Sequence, residues 1–135
     1  MVGTGSARIF LALALALNLV SYAAWGSTIL PREDISDYIR NHAVREIIVG
    51  LFLSLTLLAI LRRPTSREWA IPLVVLSGGS VLGFWIGLFA LGGIAQIDTV
   101  FAGQTPAFAY ALHVPQLLFW LIGSALLLNR MRHTG

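Results

Sequence analysis

The stretch WAIPLVVLSGGSVLGFWIGLFALGGIAQI, residues 69–97, carries no charged side chain. A helix that crosses a hydrocarbon core of ~30 Å needs about 20 apolar residues, so this run is long enough with residues to spare. Working outward, the charges divide the rest of the chain in the same way. Uncharged runs occupy 9–31, 47–61 and 99–129. The first and last are long enough unaided, and the second reaches the required length by extending outward through Ala43. The pattern predicts an all-α fold, a single integral membrane domain over 1–135. Its four spans are expected near 9–28, 44–62, 70–94 and 107–129, packed as an antiparallel transmembrane bundle.

Composition supports the lipid as solvent. Hydrophobic residues make up 57% of the chain and charged residues only 11%, with mean hydropathy +0.82. A soluble domain carries about 25% charged residues, so a water-covered surface is excluded. There is no Cys, which rules out disulfides, thiolate metal sites and a Cys nucleophile. A net charge of +3 and a pI near 10.2 would be compatible with nucleic-acid binding. The Arg residues argue against it, because they cluster at the ends of apolar runs. All nine basic residues are Arg and none is Lys.

Orientation follows from the Arg count in short loops. With both termini cytoplasmic, the inner side carries Arg8, Arg62, Arg63, Arg67, Arg130 and Arg132, and the outer side Arg32, Arg40 and Arg45. Six against three favours this arrangement. Trp25 and Trp69 fall near span ends, where indole rings sit at headgroup level. A different reading of the first run is a signal peptide: Arg8, an apolar stretch, then small residues around Ser21-Tyr22-Ala23. Its uncharged stretch exceeds the usual apolar region of ~7–15 residues.

Segment 31–43, PREDISDYIRNHA, differs in kind. Pro31 suits a helix first turn, and Glu33 and Asp34 follow it. Ile35, Tyr38, Ile39 and His42 recur at 3–4-residue spacing. This predicts a short interfacial amphipathic helix between spans one and two. Residues 62–69 read as a short inner turn broken by Pro64. Residues 95–106 read as a longer outer loop, with Asp98 at the outer end of span three.

Apolar burial gives no drive between helices in lipid, so close packing and polar contacts must hold the bundle. Gly79, Gly83 and Gly87 lie four apart on one face of span three, and Ala12 and Ala16 of span one are their expected partners. The same stripe also reads as a homo-oligomer seam. Pro115 is expected to kink span four and free a carbonyl near Ala111. Pro72 falls in the first turn of span three.

Polar residues inside a membrane are expensive and mark functional sites. Asn18, Tyr22 and Trp25 share one face of span one. His42, Glu46, Val49 and Leu53 share one of span two, with Arg45 beside it. Tyr110, His113, Leu117, Trp120 and Ser124 share one of span four, with Gln116 to the side. These stripes are expected to converge in the outer half of the bundle. The candidate ligand-binding set is Asn18, Tyr22, His42, Arg45, Glu46, Trp85, Tyr110, His113, Gln116 and Trp120. Glu46 and His113 are the candidate catalytic pair. Each also has a structural reading. Glu46 can be a neutralising partner of Arg45, Arg40 or His42, and His113 a neutral ring bonded to Tyr110 or to a kink carbonyl. Asn18 and Gln116 can be interhelical glue, and Trp85 and Trp120 bulky packing. A haem held by His42 and His113 is disfavoured by a depth difference of roughly 9–10 Å. His42 and Glu46 stand at i and i+4, but no fuller metal-ligand set accompanies them. No metal is expected, and the residues name no cofactor.

Three features together resemble the DoxX-like group of small four-span bacterial membrane proteins. Trp25-Gly26 and Pro31 end the first span. NHAVREIIVGL, residues 41–51, brings an Arg into span two with a Gly following. The third span is Gly-rich. The resemblance covers roughly spans one to three. It implies a bacterial cytoplasmic-membrane subunit or scaffold, partnered with another membrane or redox chain, and a hydrophobic or quinone-like ligand. It carries over no catalytic motif beyond the general match at Arg45 and Gly50. The alternative function is a membrane-embedded enzyme. There Glu46 and His113, helped by Tyr22, Tyr110 and Asn18, perform acid–base chemistry such as isomerisation on a hydrophobic small molecule.

Overall fold

The computed structural model describes residues 4–34, 36–63, 66–90 and 106–133. Among the described residues it contains four helices and no strand: α1 (Thr4–Ile29), α2 (Asp37–Leu61), α3 (Arg67–Ala90) and α4 (Pro106–His133). All four are long and apolar enough to cross a membrane. Only 22–28% of the residues in their most apolar windows are buried inside the fold. A helix apolar on its outward faces as well as its inward ones is a membrane span or a core helix, and low burial excludes the second. Ile9, Phe52, Leu55, Val75, Ile86 and Phe89 are among the large side chains that face outward.

α1 packs most extensively on α4 and next on α2, while α3 rests chiefly on α4. The principal core takes Ala7, Leu11 and Leu15 from α1, Leu57 and Leu61 from α2, Ala70 and Leu73 from α3, and Leu127 from α4. A second cluster joins Ile29 to Ala43 and Ile47, with Tyr22 and Trp25 against it. A third joins Leu88 to Ala109 under Phe84, Trp85 and Tyr110. Arg8 Nε donates to the Leu61 carbonyl at 2.6 Å. It thereby satisfies one of the carbonyls that the end of α2 leaves open.

The segment expected to form an interfacial helix does not form one of its own. None of the described residues in 31–36 is helical, and 37–43 is the beginning of α2. Pro31 follows the end of α1 rather than starting a helix, which is where a residue without an N–H is favoured after a helix stop. Ser36 then precedes α2, with Asp37 in its first turn complementing the helix dipole. No breaker separates 37–43 from the apolar run, so the helix continues. Ile35 and Pro64 lie outside the described residues, as do residues 91–105, which hold the end of span three and the expected outer loop with Asp98 up to Pro106, the first residue of α4. Pro72 sits at the sixth residue of α3, past its first turn, and Pro115 lies inside α4.

Arg32 braces the α1–α2 connection. Its Nε donates to Asp34 Oδ1 at 2.9 Å, and its Nη2 bonds the other carboxylate oxygen. This hydrogen bonding, aided by the charges of Arg32 and Arg40, holds the Asp34 carboxyl down from 3.8 to about 2. A depressed carboxyl stabilises the folded form above its unfolded pKa, and that contribution is lost as pH falls through the folded value. The expected result in a carboxyl-carbon NMR titration is an Asp34 midpoint near 2. In Arg32→Gln the midpoint returns toward 3.8. Asp34 is exposed and Arg32 only half-buried, so the bond orders the turn rather than holding the fold.

The glycine stripe of α3 is not covered by a neighbouring helix. A Cβ on Gly79, Gly83 or Gly87 would meet nothing within 4 Å, and Ala16 is exposed. Close approach occurs elsewhere. A Cβ on Gly123 would lie 2.9 Å from the Leu11 backbone nitrogen and 3.1 Å from the Ala7 carbonyl oxygen. On Gly78 it would lie 2.7 Å from the Trp120 ring, and on Gly50 2.0 Å from the Tyr22 ring. The tight seam therefore joins α1 to α4.

Candidate functional site

The polar residues separate into a sealed network and an open groove. In the network, Gln116 Nε2 donates to Asn18 Oδ1 at 2.8 Å, and Asn18 Nδ2 donates to Ser54 Oγ at 2.9 Å. Gln116 Oε1 then faces His113 Nδ1 at 2.8 Å. That oxygen can only accept, so Nδ1 carries the ring proton and Nε2 accepts from the Ser21 hydroxyl at 3.2 Å. The imidazole lies flat on Phe84, with centroids 3.7 Å apart and planes 10° from parallel. Asn18, Ser54, His113 and Gln116 are all buried. Side chains from all four helices therefore meet in one satisfied assembly, as a polar group in a lipid-solvated bundle requires.

His113 bonds Gln116 and Ser21 rather than Tyr110. The assembly reaches toward the Leu61 end of α2. Ser54 stands seven residues before the end of α2, ~10 Å by helix rise, and ~25 Å from its start. Ser54 and Phe84 are functional neighbours that sequence reasoning missed, since a lone Ser on an apolar helix carries no signal of its own. Trp120 belongs to neither the groove nor the network. Its Nε1 donates to Ser77 Oγ at 3.1 Å, and its ring lies on Gly78. Trp85 packs edge-on to Phe84 and near Tyr110. The Trp85 indole N–H is buried without a partner among the described residues.

The groove lies between α2 and α3 and encloses about 430 Å³. Its polar end is formed by Tyr22, His42, Arg45 and Glu46, and its apolar end by Val49, Gly50 and Leu53. Gly79 and Ser80 supply the opposite wall. The i, i+4, i+7 spacing of α2 puts His42, Glu46, Val49 and Leu53 on one stripe, as read from the sequence. Tyr22 reaches in from α1 because Gly50 leaves room for its ring. The bare backbone of Gly79 keeps the far wall open.

Among the described residues, the charges of Arg45 and Glu46 at the polar end are not neutralised. Arg40 bonds the Arg32 carbonyl and stands 3.9 Å from Asp37, so it is engaged away from Glu46. His42 makes an edge contact with Tyr38, at 4.6 Å between centroids. Neither Arg45 nor Glu46 has an ion-pair partner among the described residues. The expected neutralisation of Glu46 by Arg45, Arg40 or His42 is therefore not what forms. Neighbouring residues on a helix project in different directions and cannot pair with each other readily.

Of the ten sequence candidates, the structure brings Tyr22, His42, Arg45 and Glu46 together in the groove. It brings Asn18, His113 and Gln116 together in the network. Glu46 and His113 do not share a cavity wall: His113 is absent from the groove lining, and both its ring nitrogens are occupied. Gly50, Gly79 and Ser80 are groove residues that the polar pattern alone did not disclose. No protein family, curated protein or solved structure matches this chain.

Proposed function

We propose that this protein is a small multi-pass subunit or scaffold of the DoxX-like type, built as an antiparallel four-helix bundle in a bacterial cytoplasmic membrane. In this reading both termini are cytoplasmic, and the α2–α3 groove holds a lipid, a quinone-like compound or another hydrophobic small molecule. A further membrane or redox chain is its expected partner. The observation that carries the reading is the groove itself: at one end charges without an ion-pair partner among the described residues, at the other apolar walls, in an open cleft between α2 and α3. The bundle reading is supported by the principal core, which unites the start of α1, the end of α2, the start of α3 and the end of α4.

A binding role is favoured over acid–base catalysis by the placement of His113. A general base must reach its substrate, and this ring is sealed beneath Phe84 with both nitrogens engaged.

Purification in mild detergent, followed by extraction and mass spectrometry, is expected to recover one compound at stoichiometric level. Glu46→Gln is expected to lose the selectivity for that compound while stability changes by less than ~0.5 kcal/mol, since the side chain is exposed and has no ion-pair partner among the described residues. Recovery of only the membrane-average phospholipid mixture from both proteins would count against the groove as a site. Topology is read separately on this Cys-free chain. Single Cys residues at Ser36 and Ser66, both exposed, are expected to label from opposite sides of the membrane.

A further inference from the structure

The chemistry of the groove narrows its occupant, on the reading that the groove is a binding site. Two opposite charges, Arg45 and Glu46, line one end without a partner among the described residues. A neutral quinone would leave the carboxylate uncompensated. An anion alone would meet Arg45 but be repelled by Glu46, and a cation alone would face the reverse. A head that carries both charges satisfies both side chains. Arg presents a planar fork that matches phosphate oxygens, and His42 stands one turn away from Arg45 with ring nitrogens of its own.

The cationic half of the head is set by what surrounds Glu46. A primary ammonium donates three hydrogen bonds, and Glu46 together with the Tyr22 hydroxyl offers acceptors for them. A quaternary ammonium donates none and is held by cages of several aromatic faces. Tyr22 is the one aromatic side chain that lines this groove besides His42. On the opposite wall, the Ser80 hydroxyl is buried without a partner among the described residues. It is a donor that suits an ester carbonyl of a glycerolipid. Val49, Leu53 and the bare Gly79 then provide an apolar track for the chain.

We infer that the α2–α3 groove is a selective seat for a phosphoethanolamine-headed glycerolipid, with its phosphate on Arg45, its ammonium on Glu46 and an acyl chain along Val49, Leu53 and Gly79. The groove's 430 Å³ takes the head and the upper part of one chain, and the remainder of the lipid lies in the bilayer.

The test is titration of delipidated protein in detergent, read by native mass spectrometry. The probes are phosphatidylethanolamine, phosphatidylcholine and phosphatidylglycerol of identical chains, free O-phosphoethanolamine and a decyl-chain benzoquinone. The expected result is one site that prefers phosphatidylethanolamine by about tenfold, the scale of one charge-assisted hydrogen bond. Glu46→Gln should remove the preference and leave phosphatidylethanolamine equal to phosphatidylcholine. Arg45→Gln should weaken all three phospholipids. Free O-phosphoethanolamine should bind far more weakly than the lipid, because it lacks the chain. Equal binding of the three lipids, or a preference that survives Glu46→Gln, overturns the inference. Preferred binding of the quinone overturns it as well but leaves the groove as a site. Gly79→Leu separates these outcomes. Its side chain enters space where a Cβ meets nothing within 4 Å, so it fills the groove without straining the fold. If that variant binds every amphiphile as wild type does, the groove itself is not the site.

Discussion

Gly123→Leu is expected to abolish the folded bundle, and Gly123→Ala to lower its stability by about 1–3 kcal/mol. An alanine here would gain up to ~1 kcal/mol of helix propensity over glycine. The contact it makes overrides that gain. Its methyl would sit 2.9 Å from the Leu11 nitrogen and 3.1 Å from the Ala7 oxygen. Both are backbone atoms of α1 and cannot rotate away as the end of a side chain would. The helices must separate, and α1 is the element on which both α4 and α2 pack. The separation would also stretch the Gln116–Asn18 bond that crosses the same interface. Gly83→Ala is the matched control. Its Cβ meets nothing within 4 Å, so propensity acts alone and the variant should be neutral or slightly stabilised, by up to ~1 kcal/mol. Unfolding in mixed detergent micelles, followed by circular dichroism, reads both. Loss at Gly83 with tolerance at Gly123 would reverse the assignment of the packing seam.

That seam marks the point at which the sequence stops being legible. The four helices follow from charge placement, because a membrane span is a property of one segment and its solvent. The His42–Glu46–Val49–Leu53 stripe follows from helical spacing for the same local reason. Which small residue meets a neighbour is a relation between two helices, fixed by rotation and relative depth. Gly79, Gly83 and Gly87 form the more conspicuous pattern, yet they face open space, while the single Gly123 carries the close contact. Ser54 illustrates the same limit: only its depth alongside Asn18 makes it part of the network. The division of Glu46 from His113 arises likewise: spacing put each on a face of its own helix but did not set how the two faces turn toward each other, and His113 is buried in the network while Glu46 is exposed in the groove. The segment 37–43 failed differently. Its amphipathic spacing is present, but spacing sets a face and not a boundary, and nothing at Ala43 or Val44 stops the helix.

Gln116→Leu is expected to be the most damaging single change within the polar network, costing about 2–4 kcal/mol. The glutamine is only 1% exposed and is the central link, accepting from His113 and donating to Asn18. Leucine removes both bonds and strands two buried groups, the His113 N–H and the Asn18 carbonyl oxygen. A stranded buried polar group costs about 1–3 kcal/mol, whereas an interhelical hydrogen bond in a membrane protein averages only ~0.6 kcal/mol in double-mutant cycles. Two stranded groups therefore outweigh the two lost bonds. Ser54→Ala removes the terminal acceptor and strands only one Asn18 N–H, so it should cost about 1–2 kcal/mol, less than Gln116→Leu. In the pair Gln116→Leu with Asn18→Leu, the apolar partner no longer presents a stranded oxygen to its neighbour. The double variant should then be more stable than the sum of the single losses predicts, by about 1 kcal/mol. Simple additivity would mean that the two amides do not meet in the folded protein. Asn18 also bonds Tyr22, which lines the groove, so Ser54→Ala and Gln116→Leu, which both leave Asn18 in place, should retain the groove's ligand wherever they remain folded, whereas Asn18→Leu should weaken it.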